Sequence, residues 1–292
     1  MTRFKQFLSR VSGRKRISYL DRVGIDIVHG CQLRCVGCPN STIRPTVQFM
    51  TVDDFGTILK NIDIAFLKRL NLFNFGEPLL HPNVPDILRK IPGQRYRIRT
   101  VSLLTNAQHH NFPVLADIFR TGVINEVGVS CDGDGTREDY ERLRPPGKYE
   151  KLMEFLIKAK ELRDRHSPKI ELFTITISKT PEGRRRWKDL LTPLGWTPVF
   201  RDWYILPESV KTRTEQPHIV LKKGCYQLHR KYLYVDFDGT VVPCCVYPRP
   251  FELGNLREER YSEIFNGKQR KSMLTELRTN RKEMPICGKC PH

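Results

Sequence analysis

The stretch "HGCQLRCVGCPN" (residues 29–40) places Cys31, Cys35 and Cys38 within eight residues. Thiols this close together point to a metal centre, because the thiolate is a soft and strong ligand. A closed structural site takes four protein ligands, whereas a catalytic site keeps a position open. These three cysteines describe an open centre, unless His29 or a distant cysteine completes a zinc site. Zinc ligands usually come as Cys-x2-Cys pairs, whereas here three and then two residues intervene.

Just before the cysteines, "VGIDIV" (23–28) reads as a β-strand, so the thiols follow its carboxyl end. Sites on parallel α/β scaffolds collect at that end of the strands. Further strands are read at 67–75, 99–105, 124–131, 170–178 and 197–205, which makes six. Helices are read between them at 51–62, 84–91, 112–122, 149–165 and 182–195. The first has a Thr51 cap with Asp53 and Asp54 in its first turn, and the third closes at Gly122. Such alternation predicts an α/β fold with a parallel sheet, an open wound sheet or a partial (β/α)6 TIM-like barrel. The barrel is expected over residues 20–210, after a basic arm at 1–19.

Beyond about residue 210 the alternation stops. "TRTEQPH" (212–218) reads as a linker, 232–245 as a hairpin turning at Asp238-Gly239, and 262–282 as mostly helix. Cys225, Cys244, Cys287 and Cys290 lie in this tail, with Cys245 beside one of them. So short a segment seldom builds its own core, which makes a metal staple plausible. Residues 211–292 are therefore read as a small second domain. Four thiolates would close an iron–sulfur cluster, or a zinc site.

The 292 residues, 39% hydrophobic, suit a protein with a sizeable core. No apolar run approaches the ~18–20 residues that span a bilayer, and the start lacks the apolar region of a secretory signal. These features predict a cytoplasmic protein, in which nine cysteines are not a disulfide framework. The net charge of +18 favours an anionic substrate or surface. The first twenty residues hold six Lys/Arg and no acid, and Phe4, Phe7, Leu8 and Val11 follow helical spacing. They read either as a solvated arm packed on the body or as a basic amphipathic helix on the inner face of an anionic membrane.

Cys31-x3-Cys35-x2-Cys38 after the first strand resembles the signature of the radical S-adenosylmethionine (SAM) enzymes. "NFGEPLLHP" (74–82), after the second strand, resembles that family's Gly-Gly-Glu motif. There Gly76 would let the backbone approach a ligand and Glu77 would accept from the SAM amino group. "TNA" (105–107) offers Asn106 at the end of the third strand, and "SCDG" (130–133) offers Ser130 to the ribose or carboxylate of SAM at the end of the fourth. Gly37 departs from the pattern, because a bulky residue usually precedes the third cysteine. The tail is similar to the twitch domain, the shorter relative of the SPASM domain. Cys225, Cys244, Cys287 and Cys290 would then hold an auxiliary [4Fe–4S] cluster, while Cys31, Cys35 and Cys38 hold the cluster that binds SAM.

The resemblance implies two [4Fe–4S] clusters, SAM and an electron donor such as flavodoxin or ferredoxin. SAM would be cleaved to a 5′-deoxyadenosyl radical that takes hydrogen from a small polar substrate, carbohydrate- or cyclitol-like. If the closed cluster accepts an electron, the outcome is oxidation of an alcohol to a ketone. If Cys245 returns a hydrogen atom, the outcome is epimerisation. Peptide maturation is a third outcome, although the roughly twenty residues before the first strand are too few for a separate leader-binding fold. Cys131 should turn away from the mouth as a buried inert thiol. A basic zinc module for nucleic acid is the contrasting class; the family resemblance implies no specific nucleic acid.

Overall fold

The computed structural model describes residues 17–202 and 223–292. The basic arm up to residue 16, the end of the sixth predicted strand and the linker at 212–218 lie outside them. The strands are β1 (Tyr19–Ile25), β2 (Val28–His29), β3 (Gln48–Phe49), β4 (Phe66–Asn71), β5 (Arg97–Thr105), β6 (Glu126–Asp132), β7 (Glu171–Ile177), β8 (Thr197–Arg201), β9 (Tyr232–Val235), β10 (Thr240–Val242) and β11 (Gly254–Asn255). The helices are α1 (Pro39–Ile43), α2 (Val52–Asn61), α3 (Val84–Arg89), α4 (Phe112–Arg120), α5 (Arg137–Leu143), α6 (Tyr149–His166), α7 (Pro181–Leu191), α8 (Tyr261–Asn266) and α9 (Lys268–Thr279).

One nine-stranded sheet runs β11-β10-β9-β1-β4-β5-β6-β7-β8, and its members from β9 to β8 pair in parallel. The six expected strands are β1 and β4 to β8, in chain order, as a partial barrel requires. Alternation sorts their side chains. On β1, Val23 and Ile25 join the hydrophobic core that also takes Phe55, Ile58, Leu59, Ile118, Phe119 and Phe155 from the helices. Burying a side chain of that size contributes roughly 1.5–3 kcal/mol. Gly24 and Asp26 fall on the inner face of the curled sheet.

Thr51 caps α2, its hydroxyl accepting from the Asp54 amide. Gly122 ends the turn after α4 at φ +65°, where a side chain would strain the backbone.

Several expectations need correction. The first strand begins earlier and stops at Ile25, although the Asp26 amide still donates to the Val235 carbonyl at 2.9 Å. Val28–His29 instead pairs with Gln48–Phe49 in a separate small sheet. The second strand ends at Asn71, so "NFGEP" belongs to the loop beyond it. The helix at 262–282 is broken in two at Gly267, whose extended φ and ψ start a second helix. The predicted tail hairpin forms, and it adds to the same sheet. β9 pairs in parallel with β1, with Tyr234 opposite Gly24, and extends the barrel sheet.

Candidate functional site

Asp26 organises the mouth. It is buried, and its carboxylate accepts from the amides of Asn74 (2.7 Å), Phe75 (3.0 Å) and Gly76 (3.1 Å). This holds the loop after β4 over the end of β1. Burial lifts its carboxyl to about 7, against the lowering by the three amides and with a small rise from Asp236. The sequence carried a signal in retrospect, an acid within the apolar run "GIDIV". The same loop crosses β2 so closely that a Cβ on Gly76 would lie 1.8 Å from the Val28 carbonyl oxygen. The glycine is thus required by the chain's own backbone.

Glu77 is buried next to it. Its Oε1 accepts from the Thr105 hydroxyl (2.6 Å) and the Leu79 amide (3.1 Å), and its Oε2 accepts from the Asn106 amide (2.7 Å). A carboxylate has about four lone-pair positions, so three are filled and one is open. Burial raises its pKa, partly offset by these bonds and by Arg144. The Asn106 side chain donates to Cys31 Sγ at 3.3 Å and exchanges bonds with the Gln32 amide. Cys31, Glu77, Thr105 and Asn106 therefore meet at one point, as the sequence motifs implied.

The cysteine loop is pinned on both sides. Arg34 N donates to the Pro145 carbonyl (2.6 Å), and Val36 N to that of Leu143 (2.9 Å). The Ser41 hydroxyl donates to the Cys35 carbonyl (2.7 Å), and Asn40 Nδ2 to that of Phe75 (3.0 Å). Gly37 has φ +76°, a left-handed conformation that a bulky side chain would strain, which accounts for the departure noted in the sequence. Burial, then Glu77, pushes the Cys31 thiol up to about 12, and burial also raises Cys38. Such thiols give up their protons to a metal rather than to water. The Leu33 amide donates to Cys31 Sγ at 3.4 Å, the kind of contact that tunes a cluster sulfur.

Ser130 and Asp132 share the inner face of β6, while Cys131 is fully buried in the helix-side core, as alternation required. Asp132 accepts from Arg144 Nη1 at 2.8 Å in a buried ion pair. Burial opposes the charge on Arg144, but Cys35 and Asp132 hold it protonated. Its Nε is buried without a partner. Nothing in "RLRPPG" marked this arginine. A cleft of about 330 Å³ opens beside it, lined by Val36, Gly133, Leu143, Ile177 and Ser178 among others. The buried Ser178 hydroxyl on its wall has no partner.

The second thiol set closes on itself. Cys225, Cys244, Cys287 and Cys290 all line one cavity, walled otherwise by apolar side chains such as Val246, Met273 and Ile286. Burial raises Cys244 to about 12 and Cys287 to about 11. Arg281 ties this site together. Buried, it donates to the carbonyls of Gly224, Cys287 (3.0 Å), Cys290 (2.7 Å) and His292 (2.8 Å). Cys245 points elsewhere, and its thiol lies against the buried Tyr234 hydroxyl, which has no hydrogen bond of good geometry.

Comparison with known proteins agrees with this chemistry. An iron–sulfur cluster-binding SPASM domain matches residues 225–291. The chain is 24% identical over 315 aligned positions to an AdoMet-dependent heme synthase of Methanosarcina barkeri, covering 91% of this chain and 87% of that one. It is 29% identical over 162 residues to mouse (Mus musculus) molybdenum cofactor biosynthesis protein 1, covering 54% of this chain but 24% of that protein, so it spans about a quarter of that relative. Among solved structures, BtrN in complex with AdoMet and 2-DOIA aligns with a TM-score of 0.56 at 16% identity, covering 96% of this chain and 94% of that one. Streptococcus suis SuiB bound to S-adenosylmethionine aligns with a TM-score of 0.70 at 10% identity, covering 98% and 76%. These two likenesses are of fold. SAM and iron–sulfur clusters are its cofactors. The radical SAM family model matches residues 25–178, more than half of the chain, and the strand-end motifs meet within that span: the chain belongs to the radical SAM superfamily.

Proposed function

We propose that this enzyme oxidises an alcohol of a small polar, cyclitol- or carbohydrate-like substrate to a ketone. The observation that carries the reading is the pairing of a three-thiol loop with four thiols around one cavity. Cys31, Cys35 and Cys38 would hold the SAM-binding cluster, and Cys225, Cys244, Cys287 and Cys290 the auxiliary one. With both bound, reductive cleavage of SAM would supply a carbon radical that takes the carbon-bound hydrogen of the alcohol, the auxiliary cluster would supply the acceptor for the remaining electron, and the hydroxyl proton would leave to solvent. An electron donor such as flavodoxin or ferredoxin would start the cycle.

This chain's residues bind and orient. The open lone-pair position of Glu77 suits the SAM ammonium, and Asn106 fixes Cys31 beside it. Arg144 sets a fixed positive charge at the mouth for the SAM carboxylate. Ser130, from the next strand end, suits the ribose. The cleft at Val36 and Ser178 suits the nucleoside end, with the unpartnered Ser178 hydroxyl placed to donate or accept. On the inner face, the buried Asn71 Oδ1 has no hydrogen-bond partner and the buried Tyr234 Oη only the Cys245 thiol beside it, on strands either side of Gly24. They favour a hydroxylated substrate over an apolar one. BtrN, with 2-DOIA in its complex, lends the cyclitol class its support.

Anaerobic turnover of the Cys287→Ala/Cys290→Ala enzyme with a panel of cyclitols tests this. Deoxyadenosine release should persist while ketone formation fails. Full ketone yield without the second cluster would defeat the reading. The contact between Tyr234 and Cys245 favours one second reading, in which Cys245 is a hydrogen donor for epimerisation. In deuterated water the product would then carry deuterium, and Cys245→Ala would abolish that label. Normal labelling by the variant removes the donor role.

A further inference from the structure

The strand ends opposite the mouth carry a second organised surface. On the helix side of the sheet, two in-register rows cross neighbouring strands. Tyr19, Phe66 and Arg97 form one row across β1, β4 and β5. Asp21 and Lys68, with Arg99 in the same register, form the next, and Lys231 adjoins it through the Asp21 amide, which donates to the Lys231 carbonyl at 2.9 Å. Lys68, Arg97, Arg99 and Lys231 are exposed. Among the described residues none of the four forms an ion pair, and the Asp21 carboxylate is taken by the Tyr19 hydroxyl. The rings of Tyr19 and Phe66 stack at 5.6 Å and 5°, with Lys231 Nζ 5.0 Å from the Tyr19 centroid. Four cations beside aromatic rings outnumber the single Asp21 carboxylate in these rows and leave a net positive face.

We propose that this face docks the enzyme on an anionic lipid bilayer. Residues 1–16, which precede this strand in the chain, carry six more Lys/Arg and no acid, so they bring no negative charge of their own. Lipid is favoured over nucleic acid for two reasons. Bases bind protein by stacking on open ring faces, whereas Tyr19 and Phe66 already stack on each other. The arm also places Phe4, Phe7, Leu8 and Val11 at helical spacing among its cations, the pattern of an interfacial helix. Docked in this way, the enzyme keeps its mouth, at the other end of the strands, towards water.

The test is co-sedimentation of the full-length enzyme, both clusters loaded, with phosphatidylcholine vesicles with and without about one-third phosphatidylglycerol. Binding to the anionic vesicles alone, weakened by salt, is expected. Each cation near such a surface is worth about fivefold, so Lys68→Gln/Arg97→Gln/Arg99→Gln should lower partitioning by roughly a hundredfold. Its deoxyadenosine release in solution should stay unchanged, which shows an intact fold and leaves the reaction proposed above untouched. Equal binding to neutral vesicles, wild-type partitioning by the triple variant, or salt-dependent binding to DNA but not to vesicles overturns the proposal.

Discussion

Replacing Gly76 by Ala tests the construction of the mouth. The new Cβ would sit 1.8 Å from the Val28 carbonyl oxygen and 2.8 Å from its carbon. Non-bonded carbon and oxygen need more than ~3 Å, so loop and β2 must part by over an ångström. Neither is a flexible side-chain tip that could give way. Separation at that scale breaks the Gly76 amide bond to Asp26 and the Glu77 amide bond to the Gly30 carbonyl (3.1 Å). A hydrogen bond to a charged group contributes about 1.5–3 kcal/mol and a neutral one about 1. The expected loss is therefore about 2.5–4 kcal/mol, a large part of a domain's stability. Glu77 moves with the loop, so SAM affinity should fall with stability. Anaerobic urea denaturation and equilibrium binding of SAM read the two effects separately. A Gly76→Ala enzyme with wild-type midpoint and wild-type SAM affinity would refute the packing described here, because no alternative position for the methyl exists without moving backbone.

Gly56 should behave oppositely. It lies inside α2 and an added Cβ meets only the Lys90 side chain at 3.6 Å, so Gly56→Ala should stabilise by about 0.5–1 kcal/mol, read as a higher denaturation midpoint. Arg281→Met should lose the auxiliary cluster and keep the front one, halving iron from about eight to about four per chain; unchanged iron would show that the carbonyl contacts are dispensable. Asp26 predicts a pH dependence. Its folded pKa, raised to about 7, lies above the unfolded value, so the folded state binds that proton more tightly. Its contribution is complete below about pH 4 and is lost as pH rises through about 7. Asp26→Asn should flatten stability against pH across this window, and parallel wild-type and mutant curves would count against the assignment.

Much of this was legible because strands and helices announce themselves by period. The alternation of β-branched and helical runs gave six strands in their correct order, and strand polarity then put the motifs at one mouth. The residues that were not legible act through contacts remote in sequence. Arg144 reaches Asp132 from a loop with no periodicity, and Arg281 gathers carbonyls from both ends of the tail. Short elements also failed, since the register of β2 is set by its partner β3 rather than by its own two residues.

The tail joins the barrel through its sheet. Within residues 211–292, set apart by their cysteine spacing, the hairpin pairs with the first barrel strand. That pairing couples the two thiol sets mechanically. His29, two residues before Cys31, packs on Phe237 in the hairpin turn at 4.5 Å between ring centroids. Arg249, held by Asp236 and Asp238 of the same turn, fixes the chain just beyond Cys244 and Cys245. The turn therefore touches the front loop on one side and steadies the auxiliary segment on the other. The oxidation proposed above, with an electron passing to a second cluster, would call for such a rigid relation between the two thiol sets, and the β-ladder supplies it.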